Sequence, residues 1–311
     1  MPALVKRSVD TGRVAGGQNL GRMILLLTPT VDQEQVAAQL VAAQHDSSSP
    51  QFHKWLTPAQ YGQQFGVAAE DAQKVQQWLQ QQGMTVHEVS QSRQFVVFSG
   101  TAGQVEQAFS TQMHTYTFNK EKFVANSTDI QIPAAFSGVV KGVVRLHSDP
   151  HSPNLKMGQK FKVNRKTGKI EVGMGQHFIG PADFATLYNV QPLYDAGITG
   201  TGQTIAIVTR SSLVDTNYGI DGIQDIRDFR SVMGLPANDP EMIVNGDDPL
   251  VNSYSDTVEA LLDVTWAGAV APMAHIVAVA SQSNFADGVD ASAVYIVDHN
   301  LAPIMSTSFG S

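Results

Sequence analysis

Hydrophobic spacing changes character twice along this chain. Up to His147 it mixes helical and alternating periods. Residues 20–28, LGRMILLLT, read as a strand halted by Pro29, and Val31–His45 carries Val36, Leu40 and Ala43 at helical intervals with acids early. Thr57-Pro58 opens a short helix with proline in its first turn. Ala69–Gln82 is amphipathic, with Val75, Trp78 and Leu79 on the apolar side and Gly83 as its stop. Thr85–Val89 and Gln94–Ser99 alternate as strands, and Thr101–Ser110 is helical. Met113–Phe118 and Lys122–Asn126 form a strand pair, Pro133–Gly138 is a turn or short helix, and Val139–Leu146 is a closing strand. Helices on one face of a mostly antiparallel sheet make an α+β sandwich, most simply a ferredoxin-like one.

Ser148–Gln176 loses all hydrophobic period. It holds Pro, Asn, Gly and the bases Lys156, Lys160, Lys162, Arg165, Lys166 and Lys169, and reads as an exposed linker open to proteases. From Phe178 the pattern is α/β. Helical segments fall at Pro181–Tyr188, Val190–Ala196, Ile223–Met233 and Asp287–His299. Strands fall at Thr204–Thr209, Glu241–Asn245, His275–Ala280 and Pro303–Ser308, and their alternation with helices predicts right-handed βαβ units in a parallel sheet. The glycines of GTGQ precede their strand, so they do not form a phosphate cradle.

One helix stands out, Asp256–Pro272, DTVEALLDVTWAGAVAP. Asp256 and Thr257 are cap residues, and Gly268 and Pro272 close it. At roughly 100° per residue, Glu259 and Asp263 fall about 40° apart on one face. Most other positions are apolar, which predicts a buried helix. No Lys or Arg follows Arg230. Two buried acids without a nearby cation share a proton, with one pKa raised, and such a cost points to a site. At the helix start a carboxylate facing water would equally suit the dipole.

Composition bounds the rest. The 311 residues have room for two domains, and 42% hydrophobic against 15% charged residues can bury a core. The absence of cysteine excludes disulfides, a thiol nucleophile and a Cys-ligated zinc. The N-terminal MPALVKRSVDTG lacks a signal-peptide core, and Met23–Leu27 is too short to span a bilayer, so no membrane association is expected. Residues 1–176 hold 17 Lys+Arg and 12 Asp+Glu, net +5, while 177–311 hold 3 and 16, net −13. A basic half and an acidic half are expected to dock on each other, the acidic half is suited to low pH, and nucleic acid is excluded as its partner. His45, His53, His87, His114 and His147 are scattered over separate elements and read as structural or surface residues.

The chain resembles the sedolisin, or serine-carboxyl, peptidases in their kumamolisin-like zymogen form. SPQFHKWLTPAQYGQQFG, the WL at Trp78-Leu79 with QQGM behind it, FSGTAGQVEQAF and QIPAAFSGVVKGVVRL are similar to the family's activation domain. GPADFATLYNVQPLY, GTGQTIAIV and EALLDVTWAGAVAPMA are similar to the opening of its subtilisin-like catalytic domain. The resemblance implies an activation domain over 1–150, an exposed basic linker with the processing region over 151–176, and an incomplete subtilisin-like α/β domain over 177–311.

It also implies an extracellular endopeptidase working on proteins or peptides at acid pH, with Glu259 as general base for a serine and Asp263 supporting it. A carboxylate base remains ionised where His would be protonated. The family's G-T-S nucleophile motif and G-D-S-G-like oxyanion turn do not occur in this sequence. Ser306, Ser308 and Ser311 match the strand end before that turn and are not expected to be the nucleophile. The isolated chain is therefore expected to be inactive and without a cofactor, the family's calcium site falling further downstream. The alternative is non-enzymatic, an activation domain acting as free inhibitor or folding helper of a related peptidase. A glycosidase is disfavoured, because carboxylates one helical turn apart do not flank a substrate. Residues 177–311 alone are expected to aggregate, with Ile304 and Met305 lacking partners.

Overall fold

A computed structural model describes residues 4–148, 162–164, 169–171, 179–215, 219–251, 254–281 and 288–309. The chain divides into two units: Met1–Pro150 with Ser283–Ala291 and Val297–Asn300, and His151–Gln282 with Ser292–Ile296 and Leu301–Ser311.

The first unit begins with a 3-10 turn, Val5–Arg7, and the strands β1 (Val9–Arg13) and β2 (Asn19–Leu27). Helices α1 (Val31–His45), α2 (Pro58–Phe65) and α3 (Ala69–Gln81) follow, then β3 (Thr85–Val89), β4 (Phe95–Thr101), α4 (Ala102–Phe109), β5 (Met113–Phe118), β6 (Glu121–Asn126) and β7 (Val140–Val144). The main sheet runs β3-β4-β2-β7 with every neighbour antiparallel. This is the split-βαβ order of the ferredoxin-like fold, as the periodicity predicts. Three of its helices open on a Thr-x-x-Gln capping box: Thr30 with Gln33, Thr57 with Gln60 and Thr101 with Gln104. Met23, Leu25, Val96 and Phe98 from the sheet bury against Val75, Leu79, Val105 and Phe109 from α3 and α4.

The pattern left two features of this unit unread. β1 joins β5 and β6 in a second, three-stranded antiparallel sheet. Every β1 residue is exposed, so backbone pairing holds the strand and no hydrophobic period marks it. On α1, Val36 faces solvent, and Ala37 and Gln44 are buried in its place. Gln44 can be buried because its amide donates to the carbonyl of Lys54 at 2.5 Å.

Most of the linker lies outside the described residues. Within it β8 (Lys162–Asn164) and β9 (Lys169–Glu171) pair antiparallel, so the stretch is not wholly irregular.

The second unit continues with α5 (Pro181–Leu187), α6 (Gln191–Asp195), β10 (Thr204–Thr209), a small ladder of β11 (Val214–Asp215) with β12 (Ile220–Asp221), α7 (Gly222–Val232), β13 (Glu241–Asn245), α8 (Tyr254–Val270) and β14 (His275–Ser281). After α9 (Val289–Asp298), β15 (Ile304–Thr307) completes the elements. The sheet order is β13-β14-β10-β15, all parallel. β10 and β14 are continuous buried runs, as expected for central parallel strands, and α8 packs across both. Ile304 and Met305 on the outer strand β15 are exposed.

Candidate active site

Helix α8 carries the acid pair. It begins at Tyr254, so Asp256 and Thr257 sit in its first turn and do not cap it. The helix is less uniformly buried than its composition predicts. Ala260 and Val264 are sealed against the sheet, while Leu262 is 38% exposed and Asp263 is half-buried. Packing on β10 and β14 covers one side of the helix, and α5 and α7 pack on it as well, leaving only part of its surface open.

Glu259 is 5% exposed. Its Oε2, like Oδ2 of Asp263, is buried without a hydrogen-bond partner among the described residues. Burial pushes the pKa of Glu259 up, and the negative charge of Asp263 adds to the effect. Burial likewise raises Asp263. Both acids thus hold a proton more tightly than a free carboxylate does, the direction expected of a carboxylate pair that cannot easily carry two charges.

A third group meets them. Ser308, just past β15, donates its hydroxyl to Oδ1 of Asp263 at 2.8 Å. This opposes the rise in Asp263. Of the three serines considered from sequence, Ser306 is exposed and Ser311 lies outside the described residues, so Ser308 is the one placed at the pair.

A cation is also closer than the sequence implies. Arg210, directly after β10, places Nη1 3.6 Å from Oδ1 of Asp256, and its guanidinium lies 5.7 Å from the Phe309 ring. Sequence distance hid this contact, because the parallel sheet brings the end of β10 beside the start of α8. The C-terminal end of α8 is braced by buried Arg230, which donates to the carbonyls of Pro236, Gly268 and Pro272 at 2.7, 2.9 and 2.8 Å. Those bonds satisfy backbone acceptors that a helix end leaves open.

A cleft of about 540 Å³ lies against Thr257, Val258 and Leu261 of the same helix. Thr257 and Leu261 are roughly 160° from Glu259 around the axis, so the cleft backs onto the acid pair without containing it. Among the described residues no group of three or more His, Asp or Glu could hold a metal ion, and no helix is long and apolar enough to cross a membrane.

Comparison with known proteins agrees with this architecture. Residues 6–148 match the model of the pro-kumamolisin activation domain. The chain is 27% identical to xanthomonalisin of Xanthomonas sp. (strain T-22) over 273 residues, 83% of this chain and 31% of that protein. It is 27% identical to sedolisin of Pseudomonas sp. (strain 101) over 219 residues, 70% of this chain and 34% of that one. An antiparallel α+β unit that matches an activation domain, followed in the chain by a parallel-sheet α/β unit, defines the class of architecture. Residues 6–148 are similar to a pro-kumamolisin activation domain, and the chain as a whole is similar to the sedolisins. It spans about a third of the length of the curated relatives it matches.

Proposed function

We propose that the chain serves an extracellular, acid-acting serine-type endopeptidase: 1–150 as activation domain, 151–176 as a basic linker holding the processing region, and 177–311 as the first part of the peptidase domain. Glu259 is the general base for a serine supplied by a further part of the peptidase, and Asp263 holds and tunes it. The observation that supports this is the acid pair on α8, both raised by burial and Glu259 also by the charge of Asp263, with a hydroxyl beside Asp263. A base of this kind takes a serine proton in a medium where imidazole is already charged. Protein or peptide chains are the substrate class, and no cofactor is assigned to the residues of this chain.

The chain alone, incubated with a denatured protein at roughly pH 3–5, is expected to cut nothing, because positioning without a nucleophile leaves little rate. Joined to a segment supplying a G-T-S serine, it is expected to cut, and Glu259→Gln is expected to abolish that activity. Cleavage that survives Glu259→Gln in the joined protein overturns the assignment of the base.

A second role rests on the net +5 of residues 1–176 against the net −13 of the remainder. Residues 1–150 supplied in trans are expected to inhibit a mature relative at neutral pH and to release it in acid. Inhibition that ignores pH refutes that role.

A further inference from the structure

Asp298 sits at the wrong end of a helix for an acid. It is the last residue of α9, where the dipole is negative and a carboxylate is disfavoured. It is also only 1% exposed. A buried carboxylate in that place needs donors from outside its own helix. Both of its oxygens find them in the turn between β3 and β4, which lies in the same unit as Val297–Asn300. The Gln91 amide donates to Oδ2 at 2.8 Å and the Ser92 amide to Oδ1 at 3.1 Å. The Gln91 side chain donates from Nε2 to the Asp298 carbonyl at 3.1 Å.

The turn presents those two amides by using up its others. The Ser90 amide donates to the carbonyl of Phe95 at 3.0 Å, and that of Arg93 to the carbonyl of Ser90 at 2.9 Å. The amides of Gln94 and Phe95 donate to Oγ of Ser90 at 3.0 and 3.1 Å. Those of Gln91 and Ser92 remain, and both go to Asp298. Helix α2 sets their direction. A Cβ at Gly62 would overlap the carbonyl oxygen of Gln91, and one at Gly66, just past the helix, would overlap that of Ser92. Glycine at both positions lets those carbonyls seat against α2. In a trans peptide the N–H points opposite to the C=O. The peptide joining Gln91 to Ser92 thus turns its carbonyl to α2 and its N–H away, to Asp298. The Arg93 guanidinium, which donates to the Gly62 carbonyl, ties the turn to the helix. Successive amides converging on one anion in this way form a concave backbone site for negative charge.

We propose that residues 90–93 are a carboxylate-binding site of the first unit, and that its ligand is the aspartate at the end of α9. The contact is a clip that holds Val297–Asn300 in that unit. His299 adds to it from the next position, its Nε2 3.9 Å from Oε1 of Glu88 on β3. The ligand class is a carboxylate presented at a helix end, recognised by two backbone amides. The clip goes beyond the peptidase role and does not depend on the acid pair of α8.

The amide signals of Gln91 and Ser92 are followed by ¹⁵N NMR in the full chain, in the wild type, Asp298→Ala and Asp298→Asn. Both amides are expected to exchange slowly with solvent in the wild type and about tenfold faster or more in the Ala variant. Asp298→Asn keeps one acceptor oxygen and is expected to fall between them. The Ala substitution removes a group the size of formate. Formate added to that variant is expected to return both signals saturably toward their wild-type positions, and formamide is not. Gln91 and Ser92 signals that overlay the wild type in either variant overturn the site. So do formate that leaves a folded Ala variant unmoved and formamide that acts as well as formate. Unchanged amide signals elsewhere confirm that each variant is folded, and any of these results leaves the assignment of Glu259 untouched.

Discussion

Glu106 on α4 is the test of what holds the first unit together. It is a buried carboxylate in an otherwise apolar setting, its side chain 7% exposed. Arg13 of β1 grips it twice, Nε to Oε1 at 3.1 Å and Nη2 to Oε2 at 2.5 Å, and the Met113 amide of β5 donates to Oε1 at 2.8 Å. Glu106 therefore joins α4 to two strands, β1 and β5, of the three-stranded sheet. The two kinds of bond differ in worth. Arg13 is 57% exposed, so solvent screens its ion pair and the pair contributes the smaller share. A buried amide left without an acceptor costs roughly 1–3 kcal/mol. Glu106→Ala loses both and is expected to destabilise by about 2–3 kcal/mol. Glu106→Gln keeps an oxygen for the Met113 amide and is expected to cost about 1 kcal/mol or less. Urea unfolding read by Trp78, which meets Phe109 edge-on at 5.5 Å, reports this unit once Trp55→Phe and Trp266→Phe have silenced the other two indoles. Arg13, ahead of burial and the Met113 amide, sets the pKa of Glu106, whose net shift is downward. The stability it adds is then full above its unfolded pKa and is lost as pH falls through the lower folded one. The cost of Glu106→Gln should shrink across that acid window. A Gln variant as damaged as the Ala variant at neutral pH would refute the ranking of amide over ion pair.

The second unit is expected to respond to pH in the opposite sense. Glu259 and Asp263 are raised in the folded state, so they bind protons more tightly there than when unfolded, and stability falls as pH rises through that interval. Glu259→Gln should accordingly raise the unfolding midpoint near pH 7 and leave it unchanged near pH 3, read by Trp266 fluorescence in urea; destabilisation at neutral pH would contradict the buried pair. Arg230→Met should cost roughly 2–4 kcal/mol by the same measurement, since it strips a buried donor from three carbonyls. A loss below 1 kcal/mol would mean that water replaces the guanidinium without penalty.

What the sequence made legible was whatever it repeats locally. α1 runs Val31–His45 and β10 runs Thr204–Thr209, as read from periodicity, and the Thr-x-x-Gln boxes mark three helix starts. β1 was not legible, because a strand exposed on every residue has no period to show. The exposure of Val36 was not legible either. Which stripe of α1 is buried depends on its tertiary neighbours, and the Lys54 carbonyl favours the stripe containing Gln44. The acids of α8 could be read because they sit four positions apart on one helix, where spacing alone fixes a shared face.

Ser308 and Arg210 could not be read in that way, and the sheet order explains why. β10 runs between β14 and β15, and α8 lies across β10 and β14. In parallel strands all C-terminal ends emerge on the same side, so the residues following β10 and β15 arrive together beside the first turn and the middle of α8. Arg210 follows β10 by one position and meets Asp256, and Ser308 follows β15 by one and meets Asp263. Both contacts are consequences of strand order, which no local pattern encodes. An acid pair on a helix gains a polar partner only where the topology delivers a strand end beside it. A strand β15 placed at the opposite edge, beside β13, would leave Oδ1 of Asp263 as unpartnered as Oδ2. The same sequence motif on α8 would then be a buried electrostatic cost without the hydroxyl that partners Asp263.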